Sequence, residues 1–177
     1  MSAYDSLLRR RSLSKVGANA PSQTELLRLL DAAATVADHS SLRPWRLITL
    51  RGDKRDLLGH AFAEADGGNA LKYVSRARRA PLLIAIVAVH RPSGKVAYWE
   101  QEAVAAGVAH NLSLLLDEAG WGVIWRTGHL TRSEPVRRMH GLAGNEQLLG
   151  WLYVGDAPPG RELRRKRPNP ADFLSEL

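Results

Sequence analysis

AYWEQEAVAAGVAHNLSLLLDEAGWG, residues 97–122, is the one stretch of this chain that is both long and apolar enough to form a scaffold helix. No Asp, Glu, Lys or Arg lies between Glu102 and Asp117, and the apolar side chains of this interval cover more than one helical face. A helix that is apolar over most of its surface is normally buried. At roughly 1.5 Å per residue, such a helix is about as long as a small domain is wide. The stretch therefore predicts a central helix that is packed on both sides.

The first half of this helix is rich in small side chains, which let another backbone approach closely. These residues are Ala103, Ala105, Ala106, Gly107 and Ala109. We therefore predict that this half of the helix can pack against a second copy of the chain.

Composition bounds the class of protein. The chain has 177 residues, of which 45% are hydrophobic and 24% are charged, as in an ordinary soluble protein with one domain. The absence of cysteine excludes disulfides and thiolate metal sites and fits a reducing compartment. Met1–Arg11 has no apolar core of a signal peptide, and His110, Asn111 and Ser113 interrupt the long helix as a membrane span. We expect a cytoplasmic protein without a membrane partner.

The net charge of +7 has two main sources, Arg9–Arg11 and the basic run within residues 161–167. Such runs can bind a polyanion, or they can simply form a solvated surface. The chain has no aromatic-interleaved groove or known nucleic-acid motif. A nucleic-acid-binding basic protein is therefore a less favoured alternative, and we predict no nucleic-acid partner.

Apolar spacing and turn residues predict the other elements. Pro81–Val89, PLLIAIVAV, is typical of a central strand that is covered on both faces. Capping boxes are predicted at Ser22–Glu25 and Thr131–Glu134, and Asp53 is predicted to cap a third helix. Helices are predicted over residues 2–11, 23–36, 53–65, 69–78 and 135–141, and strands over 45–50, 81–89, 123–127 and 148–154. This order is not a regular βαβ alternation, so it indicates a mixed α and β fold with one layered core.

Several common catalytic motifs are missing. The chain has no GxGxxG turn, P-loop, HExxH pair or GxSxG elbow, so a Rossmann site, a P-loop and a metal centre are not indicated. Three polar stretches remain as candidates: RRRSLSK at 9–15, DHSSLRPW at 38–45 and GWGVIWRTG at 120–128. Guanidinium and hydroxyl groups suit a phosphate. Glycines let backbone amides approach a flat ligand closely.

Together, in this order, these stretches resemble the nitroreductase family of flavin oxidoreductases, and most of all its small single-domain bacterial members. The resemblance rests on Arg-Arg-Ser after a short helix, on Asp-His before Pro-Trp, and on Trp-Glu-Gln-Glu at the start of the long helix. It continues with Gly-x-Gly-x-x-Trp and a late Leu-x-x-Leu-x-x-Gly strand, so it spans nearly the whole chain.

The resemblance implies an α+β, three-layer fold with a central mixed, mostly antiparallel sheet, helices on both faces and a long buried helix at a dimer interface. Residues 1–177 then form one FMN-binding domain, with a basic tail at 161–177 that can pack on the partner subunit. It further implies a homodimer with FMN between its subunits, NADH or NADPH as electron donor, and a nitroaromatic or quinone as a small-molecule acceptor. The flavin carries the chemistry in such an enzyme, so no catalytic side chain and no metal ligand are assigned.

Carried over by motif, the resemblance assigns Arg10, Arg11 and Ser12 to the phosphate and ribityl chain, and Ser14 to the pyrimidine end of the ring. His39 and Thr35 are expected to reach the flavin from the other subunit. Trp125, Arg126 and Thr127 are expected to line the isoalloxazine, with one of their backbone amides donating toward N5. Late basic residues add phosphate charge in this pattern, and the candidates are Lys166 and Arg167.

The chain departs from the family pattern at several of these positions. Larger members carry a basic side chain where Ser14 stands, and small members often carry one in place of Thr35. Arg43 lies in Ser-Leu-Arg-Pro-Trp, where many relatives have Asn-x-Gln-Pro-Trp. Lys15 is one place away from Ser14, and Arg43 is a candidate for supplying the missing charge. These departures affect the flavin potential and the acceptor, so a flavin-binding protein with little or no turnover is an open alternative.

Overall fold

The computed structural model describes residues 2–159 and 168–176. Four strands form an antiparallel sheet with the order β1-β2-β4-β3, and helices cover both of its faces. The strands are β1 (Trp45–Arg51), β2 (Leu82–Val89), β3 (Trp121–Arg126) and β4 (Glu146–Asp156). The helices are α1 (Ala3–Arg9), α2 (Gln23–Ala33), α3 (Lys54–Asp66), α4 (Ala70–Ala77), α5 (Tyr98–Glu118) and α6 (Glu134–Met139). Three short 3₁₀ turns occupy His39–Ser41, His129–Arg132 and Pro170–Phe173.

β2 is the central strand that its apolar sequence predicts, because none of the side chains from Leu82 to Ala88 is exposed. Successive strand residues point to opposite faces. Leu82, Ile84 and Ile86 therefore pack with α2 and α5, whereas the alternate residues pack with α3, α4 and α6. The predicted α+β fold with three layers is confirmed.

α5 is the long helix of residues 97–122, shortened at both ends to Tyr98–Glu118. Val108, Leu112 and Leu116 on one of its faces are completely buried in the core. Ala103 and His110 on the outward face are exposed. The predicted burial is therefore confirmed for one face, and packing of the second face against another copy stays a prediction.

The small residues of α5 divide between these two faces. Ala105 and Ala109 are fully buried within the chain itself. A Cβ atom on Gly107 would lie 3.2 Å from Cγ1 of Val36, so this glycine admits a neighbour from its own chain. Ala103 and Ala106 are the small residues left on the accessible side.

The two predicted capping boxes are only partly correct. The Ser22 hydroxyl accepts from the Glu25 backbone N–H at 3.1 Å, but the Glu25 carboxylate accepts from Trp121 Nε1 at 2.8 Å instead of returning to Ser22. The box at Thr131 is wrong, because the Thr131 hydroxyl donates to the Gly128 carbonyl at 2.7 Å. Gly128 has a φ of 132°, and the turn after it is 3₁₀. α6 begins at Glu134 with Ser133 as its N-cap residue, so the predicted helix forms without the predicted box.

The ends of other elements also shift for local reasons. The first helix ends at Arg9, where Arg11 Nη1 donates to the Leu8 carbonyl at 2.7 Å and closes the last turn. α2 ends at Ala33, three residues early, and the Thr35 hydroxyl donates to the Ala32 carbonyl at 2.9 Å. Asp53 makes no cap with its side chain, which lies 3.6 Å from Arg78 Nη2.

In the part of the chain that the structure describes, no helix is long and apolar enough to cross a membrane.

Gly150 holds β3 and β4 at close approach. The register of β2 on β4 shifts between Ile86 and Val87, so β4 bulges there, and Gly150 has a φ of 133°. A Cβ atom on Gly150 would lie 2.4 Å from the Arg126 carbonyl oxygen and 2.7 Å from Trp125 Nε1. A side chain at this position is excluded by both the backbone conformation and the available space.

We expect Gly150→Ala to lower the free energy of unfolding by about 2–4 kcal/mol, because it combines a strained φ with an overpacked contact. The matched control is Gly144→Ala, since nothing lies within 4 Å of a Cβ at Gly144 and its φ is ordinary. Urea denaturation of both variants measures the difference. Equal stabilities would show that β3 can move away from β4 without cost.

His140 is buried beneath the sheet with both ring nitrogens paired. Trp151 Nε1 can only donate, so His140 Nε2 accepts from it at 3.1 Å, and Nδ1–H then donates to the Val136 carbonyl at 2.8 Å. Burial lowers the pKa of His140 below 6.5, and nearby Arg46 lowers it further, whereas the hydrogen bond to Val136 opposes the shift. The folded protein therefore keeps His140 neutral near neutral pH.

We expect the free energy of unfolding to fall as the pH drops below about 6.5. Between that value and the lower folded pKa the unfolded chain binds the extra proton, so stability is lost across this window. Denaturant midpoints between pH 7.5 and 5 measure this loss, and His140→Gln, which cannot titrate, should flatten the curve. The pKa of Glu146 is lowered by Arg46 from 4.5, so this carboxylate acts only at more acidic pH. If the wild-type and His140→Gln proteins lost the same stability between pH 7.5 and 5, His140 would be excluded as the titrating group.

Candidate functional site

The segment after α1 lies along the outer edge of β3. The Leu13 backbone N–H donates to the Val123 carbonyl at 2.9 Å, and Ser12 forms a parallel bridge with Val123. This contact adds a parallel partner to the antiparallel sheet, as the predicted mixed sheet requires. Two of the three polar stretches, residues 9–15 and 120–128, are thereby brought together.

Two adjoining cavities lie where these stretches meet. The first, here called the Ser14 cavity, has a volume of about 440 Å³ and is lined by Ser14, Lys15, Val16, Arg79 and Arg126. The second, here called the aromatic cavity, has a volume of about 390 Å³. It shares Arg79 and Arg126 with the first and also contains Thr127. Its walls carry four aromatic side chains, those of Phe62, Tyr73, Trp151 and Tyr153.

The rim of these cavities is positively charged. The Arg126 guanidinium lies 5.2 Å from the Tyr153 ring centroid, and its buried Nε has no hydrogen-bond acceptor. Arg76 lies 5.0 Å from the Tyr73 ring centroid. Among residues 2–159 and 168–176, no carboxylate lies within 4 Å of the guanidinium groups of Arg76, Arg79 or Arg126. Such a rim favours a ligand with anionic or carbonyl oxygens.

Tyr153 adds a hydroxyl group to the aromatic cavity. Burial raises the pKa of Tyr153, and the positive charges of Arg126 and Arg79 oppose this shift in part. The hydroxyl therefore stays protonated and can donate a hydrogen bond.

Trp125 is separated from Arg126 by strand alternation. Arg126 points toward Tyr153, whereas the Trp125 ring packs edge-on against His110 on α5, with the centroids 5.0 Å apart. Trp125 Nε1 is buried without an acceptor and packs against Gly150. Of the three residues assigned to the flavin ring, the side chains of Arg126 and Thr127 line the cavities and that of Trp125 does not.

The arginines assigned to the phosphate lie at the end of α1. Arg10 is the C-terminal cap residue, and its backbone N–H donates to the Ser6 carbonyl at 2.9 Å. Arg11 Nη1 also donates to the Arg10 carbonyl at 2.9 Å, so this guanidinium holds the turn together. Ser12 is exposed beside β3. Lys166 and Arg167 lie outside the described residues.

Thr35, His39 and Arg43 belong to a different part of the protomer. The Asp38 carboxylate accepts from the backbone N–H groups of Leu42 at 3.2 Å and Arg43 at 2.7 Å. It holds a loop with three non-glycine residues at positive φ, namely Ser40 at 64°, Ser41 at 49° and Arg43 at 47°. Such conformations are costly and need support from neighbouring groups.

His39 lines a third groove, here called the α5 groove, with a volume of about 450 Å³. The outward face of α5 contributes Trp99, Ala103 and Gly107 to it. Within one protomer His39 therefore does not meet Ser14 or Arg126. This placement is compatible with the expected reach of His39 into a second subunit.

Arg79 and Arg76 are site residues that the sequence analysis missed. They lie in and just after α4, whose basic side chains are expected to be solvated. Arg78, between them, is paired with Asp56 at 2.5 Å, and no pattern along the chain distinguishes it from Arg79. Within the described residues, no group of His, Asp and Glu is arranged to hold a metal ion.

Comparison with known proteins points to one family. The sequence profile of the "Nitroreductase family" matches residues 7–156. The chain is 31% identical to "Putative NAD(P)H nitroreductase YdjA" of Escherichia coli (strain K12), with 99% of each chain covered. It is 28% identical to "Putative NAD(P)H nitroreductase" of Haemophilus influenzae, with 100% of each chain covered.

The fold is shared with solved structures. The "Nitroreductase-like Family Protein from Bacillus cereus" superposes with a TM-score of 0.83 at 23% identity, covering 100% of this chain and 96% of the other. The "FMN and NADPH-dependent nitroreductase NfnB" from sphigopyxis sp. strain HMH gives a TM-score of 0.78 at 17% identity, covering 100% and 99%. With the profile matched over most of its length and relatives aligned from end to end, this chain belongs to the nitroreductase family of oxidoreductases.

Proposed function

We propose that the protein is an FMN-dependent oxidoreductase that takes electrons from NADH or NADPH and reduces nitroaromatic or quinone-type acceptors. The observation that carries this proposal is the bridge between Ser12 and Val123. It brings Ser14, Arg126 and Thr127 to adjoining cavities, although more than a hundred positions of sequence separate Ser14 from Arg126. NfnB is described as dependent on FMN and NADPH, and the relatives above as NAD(P)H nitroreductases.

The residues around these cavities fit a flavin. Volumes of about 440 and 390 Å³ lie within the range of small-molecule sites. The pyrimidine edge of a flavin offers carbonyl oxygens, and the guanidinium groups of Arg79 and Arg126 have no carboxylate partner among the described residues. Arg126 Nε is a buried donor without an acceptor. The aromatic walls supply an apolar surface for a planar ring.

A bound FMN would supply the hydride-transfer chemistry between the nicotinamide and the acceptor, and the protein would supply binding, orientation and electrostatics. In this chain we assign Arg10 and Ser12 to the phosphate side, with Arg11 holding the end of α1. Ser14, Arg126 and Thr127 hold the ring, and the Tyr153 hydroxyl is an available donor. Lys166 and Arg167 remain proposed phosphate ligands.

We further propose a homodimer in which the outward face of α5 is the contact surface. Tyr98 and Trp99 on this face are 54% and 71% exposed, which is unusual for such large aromatic side chains. They lie beside Ala103, where no side chain prevents close approach. In such a dimer, the α5 groove and its lining residue His39 would lie at the subunit boundary, within reach of the partner's flavin. Thr35 directly precedes Val36, another lining residue of this groove, and is proposed for the same role.

We expect the purified protein to bind one FMN per chain and to lose its flavin absorbance band on anaerobic titration with NADH or NADPH. Arg126→Gln should weaken FMN binding about tenfold, because it removes a charge-assisted hydrogen bond. The matched control is Arg28→Gln, an exposed position on α2. Flavin fluorescence quenching gives both dissociation constants.

A wild-type protein that does not bind added FMN would rule out this function. Stable FMN binding without NAD(P)H oxidation, across a panel of nitro compounds and quinones, would indicate the alternative of a flavin protein without turnover.

We expect Ala103→Leu to weaken dimerisation and FMN retention together, because a larger side chain separates the two α5 helices. Ala103 is exposed in the protomer, so the change leaves the core intact, unlike a change at Gly107 beside Val36. Ala32→Leu, an exposed alanine on α2, is the control. Sedimentation velocity and flavin absorbance measure both effects, and a monomeric Ala103→Leu protein that keeps its flavin would contradict the shared interface.

A further inference from the structure

We propose that Arg79 supplies the positive charge that stabilises the reduced flavin at its pyrimidine edge, at the place where Ser14 carries none. This inference rests on the proposed function. Hydride uptake adds two electrons and one proton, so the ring gains a net negative charge that is concentrated at the pyrimidine edge. A cation held nearby favours the reduced form over the oxidised form, and charge near N1 is one way in which proteins tune flavins.

Arg79 reaches both cavities. Its side chain lines the Ser14 cavity and the aromatic cavity, together with Arg126. Lys15, the other cation next to Ser14, lines only the first of the two. Arg126 already lies over the Tyr153 ring, which fixes its direction. Arg79 and Arg126 are therefore the two cations that line both cavities, and of the two Arg126 is the one held over an aromatic ring.

The backbone that carries Arg79 is held firmly. Ala77 and Ala80, on either side, are 0% and 2% exposed, so the turn between α4 and β2 is anchored in the core. Arg55 Nη1 donates to the Ala80 carbonyl at 2.6 Å and fixes the same turn from α3. The arginine side chain thus starts from a fixed point at the cavity mouth.

The charge of Arg79 is not neutralised by its surroundings. No carboxylate within the described residues lies within 4 Å of its guanidinium, and no side-chain hydrogen bond of Arg79 is found there. Its neighbour Arg78 binds Asp56 through two hydrogen bonds of 2.6 and 2.5 Å and lies 3.6 Å from Asp53. Two adjacent residues of the same type therefore have different roles, one in joining α3 to α4 and the other facing the cavities.

The test measures the affinities of oxidised and reduced FMN, through the midpoint potential of the bound flavin relative to that of free FMN. Arg79→Gln should weaken the binding of reduced FMN about tenfold relative to oxidised FMN. For a two-electron couple this is a fall of about 30 mV in the potential. Arg79→Lys keeps the charge and should stay within about threefold of the wild-type ratio.

Arg78→Gln removes the same charge one residue away and serves as the matched control, because Arg78 is already neutralised by Asp56. We expect it to lower stability and leave the affinity ratio unchanged. The inference is overturned if Arg79→Gln stays within twofold of wild type, if Arg78→Gln shifts the ratio equally, or if Lys15→Gln produces the shift instead. If the wild-type protein binds FMN and Arg79→Gln leaves the affinity ratio unchanged, only this inference is removed. If the wild-type protein does not bind FMN at all, the proposed function is removed with it.

Discussion

The complete burial of both faces of β2 is the constraint on which the rest of the structure depends. Leu82 to Ala88 expose no surface, and each large apolar side chain so buried contributes roughly 1.5–3 kcal/mol. A strand in this situation needs a layer of helices on each side. α2 and α5 cover one face, and α3, α4 and α6 cover the other. Because a shift of one residue exchanges the two faces, the pairing register of β2 is strongly fixed.

The candidate site follows from how the sheet continues beyond β2. β4 pairs with both β2 and β3, and it bulges at Gly150. Because Gly150 has no side chain, the backbone of Arg126 can lie directly against it. Arg126 is thereby directed toward Tyr153 on the α3–α4 side. The outer edge of β3 is then partly covered by Ser12, which protects an edge strand from unwanted pairing. One contact therefore both closes the sheet and carries Ser14 to the cavities.

Local sequence patterns predicted the elements whose formation depends on residues close together in the chain. The apolar run of β2 and the uncharged interval of α5 gave the correct elements, because burial imposes its period directly on the sequence. The box at Thr131 failed because Gly128, at a φ of 132°, turns the chain into a 3₁₀ helix before α6 can start. The order of the three polar stretches predicted the family, and the profile match over residues 7–156 confirmed it.

Side-chain positions were less predictable, because they depend on neighbours that are distant in sequence. Trp125 and Arg126 are adjacent in the motif, yet strand alternation sends them to opposite sides of the sheet. Gly107 belongs to a stripe of small residues, yet the neighbour it admits is Val36 of its own chain. A motif gives the order of residues along the chain, but the contacts of a bound ligand depend on where the fold directs each side chain.

The charge around the Ser14 cavity shows the same difference most clearly. Along the sequence, Ser14 is a position without the expected cation, and this suggests a weakened flavin site. In space, the start of α3 offers Asp53 and Asp56 to Arg78, so Arg78 is neutralised and its neighbour is not. Of the two adjacent arginines, the one that lines both cavities, Arg79, is thus the one without a carboxylate partner among the described residues. In the proposed flavin site, Arg79 can therefore supply the charge that Ser14, 65 positions earlier, does not carry, because electrostatic interaction depends on the distance between charges and not on their order in the chain.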